Sequence, residues 1–419
     1  MSESLKLERR QAAFANSARD LSRATRAVMA QFFVNGASFA AWGVQIPEIK
    51  TRFGISDFVL SFAMLAVAGG AIVAMGPVGR WATRAGSARA LVISGVVYAV
   101  ATGLIPFMPS YAALLPLLIV LGIGMGGFDV TMNVQAAAVE GRSHKPIMST
   151  LHGMFSLGGM VGAGVGGAIA LGGLPSWAHV AGTALVTLLA IALGRRYLID
   201  DTPGAQAVRE AHGRPDAKRK PGSGGRRAGS MPARRSTARA ALWILGFFAF
   251  LGLICEGAMY DWASVYLRDV AGAAAQLAGY GYAAFSTGMA CGRFAADPLR
   301  RRIGDGRTLA ISGWLGFAGI ALAVGMPWPL WTLLGFFVMG LGVANLMPFF
   351  FLAGARLPGM SAAQGVAAIA RCAYAGMLLG PAIIGAITHQ AGLQAALGAV
   401  ALIMGAIAAV GTRQVRRFA

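Results

Sequence analysis

Asp129 is the only charged residue between positions 111 and 139. Asn133 follows it by one helical turn and shares its face. A carboxyl group in apolar surroundings is neutral when protonated and costly to enclose when charged. One proton gained or lost can therefore drive or block the closing of a dry cavity. The alternative is a structural acid, hydrogen-bonded between helices. Glu256 and Asp261 repeat the situation as the only charges in 240–267. Five residues turn a helix by about 140°, so these two acids do not share a face, whereas Tyr260 shares that of Glu256. Glu256 and Tyr260 fit a polar cavity. Asp261, beside Trp262, fits that cavity or a gate at the helix end.

Arg371 is the one cation in 362–388. A guanidinium stays charged, so it needs Glu256, Asp129 or an anionic solute as its partner. His152 titrates near neutral pH and fits a proton relay or a polar helix contact. Asn35, Gln45 and Asn345 offer hydrogen bonds to a polar solute or to neighbouring helices. Glu140 continues the stripe of Asp129 to the end of its segment. Beside Arg142 and Lys145, it reads as a gate salt bridge.

The elements that carry these residues are apolar. Of 419 residues 56% are hydrophobic and only 12% charged, half the share usual in a soluble domain. The 59 glycines sit inside the apolar runs, where they let helix backbones approach closely. About 20 apolar residues cross a bilayer core. The spans read 26–48, 57–78, 88–106, 111–139, 147–173 and 177–198, then 240–267, 277–296, 307–326, 329–354, 362–388 and 393–411. Breaks fall at turn chemistry such as Leu174-Pro175-Ser176 and Pro327-Trp328-Pro329. The expected fold is an all-α membrane protein of twelve transmembrane helices.

The net charge of +20 is scattered through short gaps between spans, which excludes a nucleic-acid surface and matches the positive-inside pattern. With both termini cytoplasmic, every Lys and Arg except Lys50, Arg52, Arg268 and the in-span Arg371 falls on the cytoplasmic side. Residues 1–25 then form an N-terminal tail, 26–198 a six-helix bundle, 239–412 a second bundle and 413–419 a C-terminal tail. Between the bundles, 199–238 is rich in Pro, Gly and charge and is expected to be a disordered basic linker. Three scattered cysteines give neither a disulfide framework nor a metal site.

The two halves echo each other. Gly158, Gly162 and Gly167 fall on Gly376, Gly380 and Gly385 at a separation of 218, and Gly122 and Gly124 fall on Gly340 and Gly342. Repeated bundles of this kind place a site between them. Gly79-Arg80 also resembles Gly292-Arg293.

Six spans, a long basic loop and six more spans resemble the major facilitator superfamily along the whole chain. The loop Gly79-Arg80-Trp81-Ala82-Thr83-Arg84-Ala85-Gly86 is similar to the family's signature between the second and third spans, with Thr83 where an acid is usual. Gly292-Arg293-Phe294-Ala295-Ala296-Asp297 is similar to it in the second half and retains an acid. The resemblance implies a cytoplasmic gate of Gly79, Arg84, Gly86, Glu140, Arg293 and Asp297. The stretches GMGGFDVTMNVQAAAVE, CEGAMYDWASVYLRD and YAGMLLGPAIIG resemble a branch near the fucose-permease-like transporters. In sugar:proton symporters of that kind an acid followed four residues later by Asn serves proton and substrate, a pattern that Asp129 and Asn133 match. Gly158-x3-Gly162-Ala163-x2-Gly166-Gly167 is similar to the superfamily's antiporter glycine motif.

The expected protein is thus a multi-pass secondary transporter of a bacterial inner membrane. It moves a small polar organic solute (sugar-like, polyol or organic acid) with protons by alternating access. A proton-exchanging efflux pump for amphipathic compounds and a non-transporting receptor or scaffold are the alternatives. The partners expected are the solute, protons and the lipid bilayer, with the chain acting as a monomer. No enzyme motif, metal or cofactor is expected.

Overall fold

The computed structural model describes residues 3–143, 147–202, 232–357, 360 and 362–416. All regular structure among them is helical. The first half holds α1 (Glu3–Phe53), α2 (Asp57–Ala85), α3 (Ser87–Leu104), α4 (Tyr111–Ser143), α5 (Met148–Leu171) and α6 (Ser176–Gly194). The second begins with α7 (Pro232–Asp269), α8 (Gly279–Ile303) and α9 (Asp305–Gly325). Next comes α10, which runs over Pro329–Val343 and resumes as Leu346–Ala355. The stretch Ala362–Ala406 is two helices folded back at Gly392 (φ 83°), α11 (362–391) and α12 (393–416).

Ten segments are long and apolar enough to cross a membrane. One of them, Gln364–Val415, is the pair α11 and α12. The remaining helix, α8, falls short in hydropathy because it carries Arg293 and a basic end at Arg300, Arg301 and Arg302. It packs along α5 and α10 as a full member of the bundle. Twelve helices result among the described residues. One end of the bundle, here the basic end, carries Arg80, Arg84, Arg89, Arg142 and Arg300. The other, the far end, carries the turns at Gly54, Gly173, Gly272 and Gly392.

The halves repeat in register. Among the described residues the six glycines at positive φ form three pairs, Gly54 with Gly272, Gly86 with Gly304 and Gly173 with Gly392, separated by 218, 218 and 219 residues. Only glycine adopts that backbone without strain, so each pair marks the same turn used twice. Close helix contacts obey the same offset. Gly122 abuts the carbonyl of Val67 and Gly340 that of Phe285; Gly70 abuts the carbonyl of Ile119 and Gly288 that of Phe337. A β-carbon at any of the four would collide with backbone, so these contacts require glycine. The helix pairs α1–α5, α2–α4 and α3–α4 recur as α7–α11, α8–α10 and α9–α10. Between the halves, α5 meets α8, α2 meets α11 and α1 meets α7.

Two expected boundaries move. The N-terminal tail is helical from Glu3 as part of α1, and Ala24 is already buried. The linker does not begin at 199. Ile199 is buried, and its N–H and C=O each bond the side chain of Gln135 at 2.8 Å. Asp201 accepts hydrogen bonds from the backbone N–H and hydroxyl of Ser87 at 2.7 and 2.6 Å, capping α3. Linker residues 203–231, Lys145 and the side chain of Asp297 lie outside the described residues.

Candidate functional site

A cavity of about 180 Å³ lies between the halves. α1 brings Asn35, Phe39 and Trp42 to it, α4 brings Asp129, and α7 brings Glu256, Tyr260 and Asp261. Tyr374 and Met377 of α11 and an apolar strip of α2 from Met64 to Met75 complete the wall. Five of the residues expected at a central site, Asn35, Asp129, Glu256, Tyr260 and Asp261, therefore meet in one space.

Asp129 receives the Asn133 amide weakly, at 3.4 Å, because that amide bonds mainly to the Asp129 backbone carbonyl at 2.9 Å. Asn133 is thus bonded beside the site without lining it. Asn35 is 2% exposed and directs its Nδ2 to the Met132 sulfur at 3.4 Å, leaving Oδ1 unpartnered. The Tyr260 hydroxyl, on a residue 7% exposed, is also unpartnered. Asp261 has neither hydrogen bond nor ion pair among the described residues.

Glu256 is paired, but not with the expected cation. Arg293 Nη2 stands 3.4 Å from its Oε1, with both side chains about 15% exposed. Arg293 Nη1 donates to Ser156 Oγ at 2.6 Å and to the His152 carbonyl at 3.1 Å, joining α8 to α5 of the other half. The expectation placed Arg293 at a gate and made Arg371 the only cation in a span. Helix α8 instead runs to Ile303, so Arg293 sits ten residues, or about 15 Å, inside it. The repeat explains this error. Gly86 pairs with Gly304, so the second copy of the 79–86 loop is 297–304. Arg293 then falls on Met75, which lines the cavity. Arg371 is exposed, without an ion pair among the described residues, one turn toward the basic end from Tyr374.

Other expectations are corrected by geometry. Gln45 is buried near the far end and donates to the Ser176 carbonyl at 3.5 Å; it lines a separate far-end cavity with His179 and Arg268. Asn345 sits at the break in α10 and donates to Ser312 Oγ at 3.3 Å. It lines a second cavity of about 510 Å³ toward the basic end, with His152, Arg293 and Glu256. Glu256 borders both this cavity and the central one, so its pair with Arg293 stands between them. Glu140 makes no salt bridge among the described residues. Its Oε2 accepts the backbone N–H groups of Ile147 and Met148 at 2.8 and 3.0 Å, because the start of α5 leaves those donors unpaired. Gly79 meets only Val130, and Arg84 is exposed.

The far end is closed by contacts not foreseen from the sequence. Lys50 of α1 bonds Asp57 at 2.6 Å and Asp269 of α7 at 2.7 Å. Arg268 donates to the Pro47 carbonyl at 2.8 Å and to Thr51 Oγ1 at 2.9 Å. Beneath this latch, Tyr260 packs on Phe39, Tyr282 and Phe285 with ring centres 5.2 to 5.3 Å apart. Charge spacing within one span cannot reveal a latch whose partners lie 219 residues apart.

Two register-matched helix bundles around a central cavity with intramembrane acids define a membrane transporter of the alternating-bundle kind. The chain belongs to the major facilitator superfamily, whose profile matches residues 28–375. It is 32% identical over 379 residues to an uncharacterized MFS-type transporter of Yersinia pestis, covering 90% of this chain and 92% of that one. It is 33% identical over 371 residues to the membrane protein MosC of Rhizobium meliloti, covering 88% and 85%. In fold it is similar to the nucleoside transporter NupG in its D323A form (TM-score 0.69, 13% identity, 94% of this chain and 99% of that one). A D-xylose-proton symporter is likewise similar (TM-score 0.68, 14% identity, 94% and 97%).

Proposed function

We propose that the chain is a proton-coupled secondary transporter that carries a small organic solute through the central cavity by alternating access. The observation that carries this reading is Asp129, an acid in the cavity wall whose one side-chain partner is the uncharged, distant amide of Asn133. Closing the bundle over a charged Asp129 is costly, and closing it over a protonated one is not. Proton binding is thereby tied to the conformational cycle. The names of the D-xylose-proton symporter and the nucleoside transporter agree with a polar organic solute, though their likeness is one of fold. The proposed setting is a bacterial inner membrane with both termini cytoplasmic, which the position of the basic end favours. In that orientation the far-end latch closes the outside and the cavity faces the cytoplasm.

A thermal-shift screen against sugars, polyols, amines, acids and drugs identifies the solute, since ligands stabilise the native state they bind. Proteoliposomes then separate the roles. Asp129→Asn imitates the protonated form permanently. It is expected to fold, to exchange solute, and to lose proton-driven accumulation by at least about tenfold, the effect of ~1.4 kcal/mol. If Asp129→Asn still moves protons with solute while Glu256→Gln does not, the coupling site lies in the second half.

A further inference from the structure

We infer that the solute carries a cationic amine, held by Asp261 with the Asn35 carbonyl oxygen and the Tyr260 hydroxyl around it; this deepens the proposed function and rests on the central cavity being its solute site. The argument begins with charge. The cavity wall contains three carboxyl groups, Asp129, Glu256 and Asp261, and no Lys, Arg or His. Arg293 reaches Glu256 from behind through Nη2, and its Nη1 donates to Ser156 and the His152 carbonyl. One acid is therefore neutralised by the protein. A proton on Asp129 neutralises a second. Asp261 is left without a counter-charge.

The hydrogen-bonding groups make the same selection independently. Asn35 lines the cavity almost fully buried, and because its amide nitrogen faces Met132, the atom it leaves unpartnered is an acceptor. The Tyr260 oxygen is buried and unpartnered as well. A buried polar atom without a partner is unfavourable, and a ligand that supplies the donor relieves it. An unpartnered amide oxygen, a hydroxyl that can accept as well as donate, and an uncompensated carboxylate suit a donor-rich ammonium group. Asp261 repels a carboxylate or phosphate solute, which would add a second unpaired anion. The rest of the lining, including Phe39, Trp42, Met64, Met125 and Met377, offers thioether and aromatic faces to a non-polar body.

The test uses three probes of one shape and different charge: cyclohexylmethylamine, cyclohexylmethanol and cyclohexanecarboxylate. Binding to the full chain in lipid nanodiscs is read from tryptophan fluorescence, since Trp42 lines the cavity. The amine is expected to bind at least about tenfold more tightly than the alcohol, and the carboxylate more weakly than both. Asp261→Asn is expected to abolish the preference for the amine over the alcohol, and Asp261→Glu to restore part of it. Asn35→Ala is expected to weaken the amine more than the alcohol, which brings a single donor, by roughly threefold. Equal or tighter binding of the alcohol or the carboxylate overturns the inference, as does failure of the amine to bind. A preference that survives in Asp261→Asn overturns it too. Should that variant not fold, Asn35→Ala decides, and an unchanged amine preference there sinks the assignment. These are equilibrium measurements without a proton gradient, so they stand apart from the proteoliposome result for Asp129.

Discussion

The α5–α8 seam and the α2–α11 seam are the same interface built twice, because α2 corresponds to α8 and α5 to α11. The protein nevertheless uses them differently. Along α5–α8 the helices touch from end to end: Gly167 lies against Tyr280, Gly159 near Ser286, and Gly153 against Phe294. Arg293 crosses the seam to Ser156. Along α2–α11 contact concentrates at the far end, where Gly385 meets Ser61 and Phe58 packs on His389 with ring centres 5.2 Å apart. Toward the basic end the α11 face instead shows Tyr374, at 37% exposure, and the exposed Arg371. A charged residue welded into one seam and a free one at the mouth of the other divide the labour. One seam is packed along its length, and its counterpart, packed mainly at the far end, is the side on which the proposed function would have the solute enter.

The most drastic way to break that division is to weld the second seam. A β-carbon on Gly385 would lie 2.5 Å from that of Ser61, so a disulfide needs only about 1 Å of give to reach its usual spacing. Oxidised Ser61→Cys/Gly385→Cys is expected to lose transport by roughly 100-fold, the mark of a blocked conformational step, and to regain it with reductant. Unchanged flux after oxidation would show that the far end of this seam never opens.

Arginine substitution sharpens the contrast at smaller cost. Arg293→Ala strands Glu256 in the membrane and is expected to lower stability by about 3 kcal/mol, with Arg293→Ala/Glu256→Gln recovering part of the loss. Arg371→Ala, at the open seam, is expected to stay within about 0.5 kcal/mol. Thermal unfolding in detergent checks all three variants. Equal effects at the two arginines would erase the distinction between the seams.

A smaller effect than at Arg293 is expected at the far-end latch, whose groups are partly solvated. Lys50→Ala removes its pairs with Asp57 and Asp269, worth about 1 kcal/mol at such exposure. An impermeant thiol reagent outside the cell should then label Phe39→Cys roughly five times faster, as the outward-open population grows. The background replaces Cys255, Cys291 and Cys372. Ala274→Cys must label from the same side in both proteins, which also checks the orientation.

The sequence made the architecture readable because membrane helices must be long and apolar and their ends basic. The half repeat was visible too, in part through Gly122, Gly124, Gly340 and Gly342, whose backbone contacts leave no room for a side chain. The gathering of Asn35, Asp129, Glu256, Tyr260 and Asp261 was legible because buried acids are rare. The failures have a common cause. Gln45 and Asn345 were assigned by residue type, but which way a helix faces is set by packing, and close glycine contacts fixed it elsewhere. Glu140 was assigned by its charged neighbours, whereas the nearer demand was the unpaired backbone of α5. Arg293 was misread because Gly292-Arg293 resembles Gly79-Arg80, whereas the turn glycines match 79–86 with 297–304.

The 218-residue register has a consequence for how such a protein can change. Its helix contacts are fixed by glycine backbones and turn geometry, while the cavity side chains differ freely between halves, as Met75 and Arg293 do. Scaffold and specificity are thereby inherited separately. Lineages can exchange the charges that greet a solute without renegotiating the fold, and each half offers the other a ready coordinate system for where the next change will point.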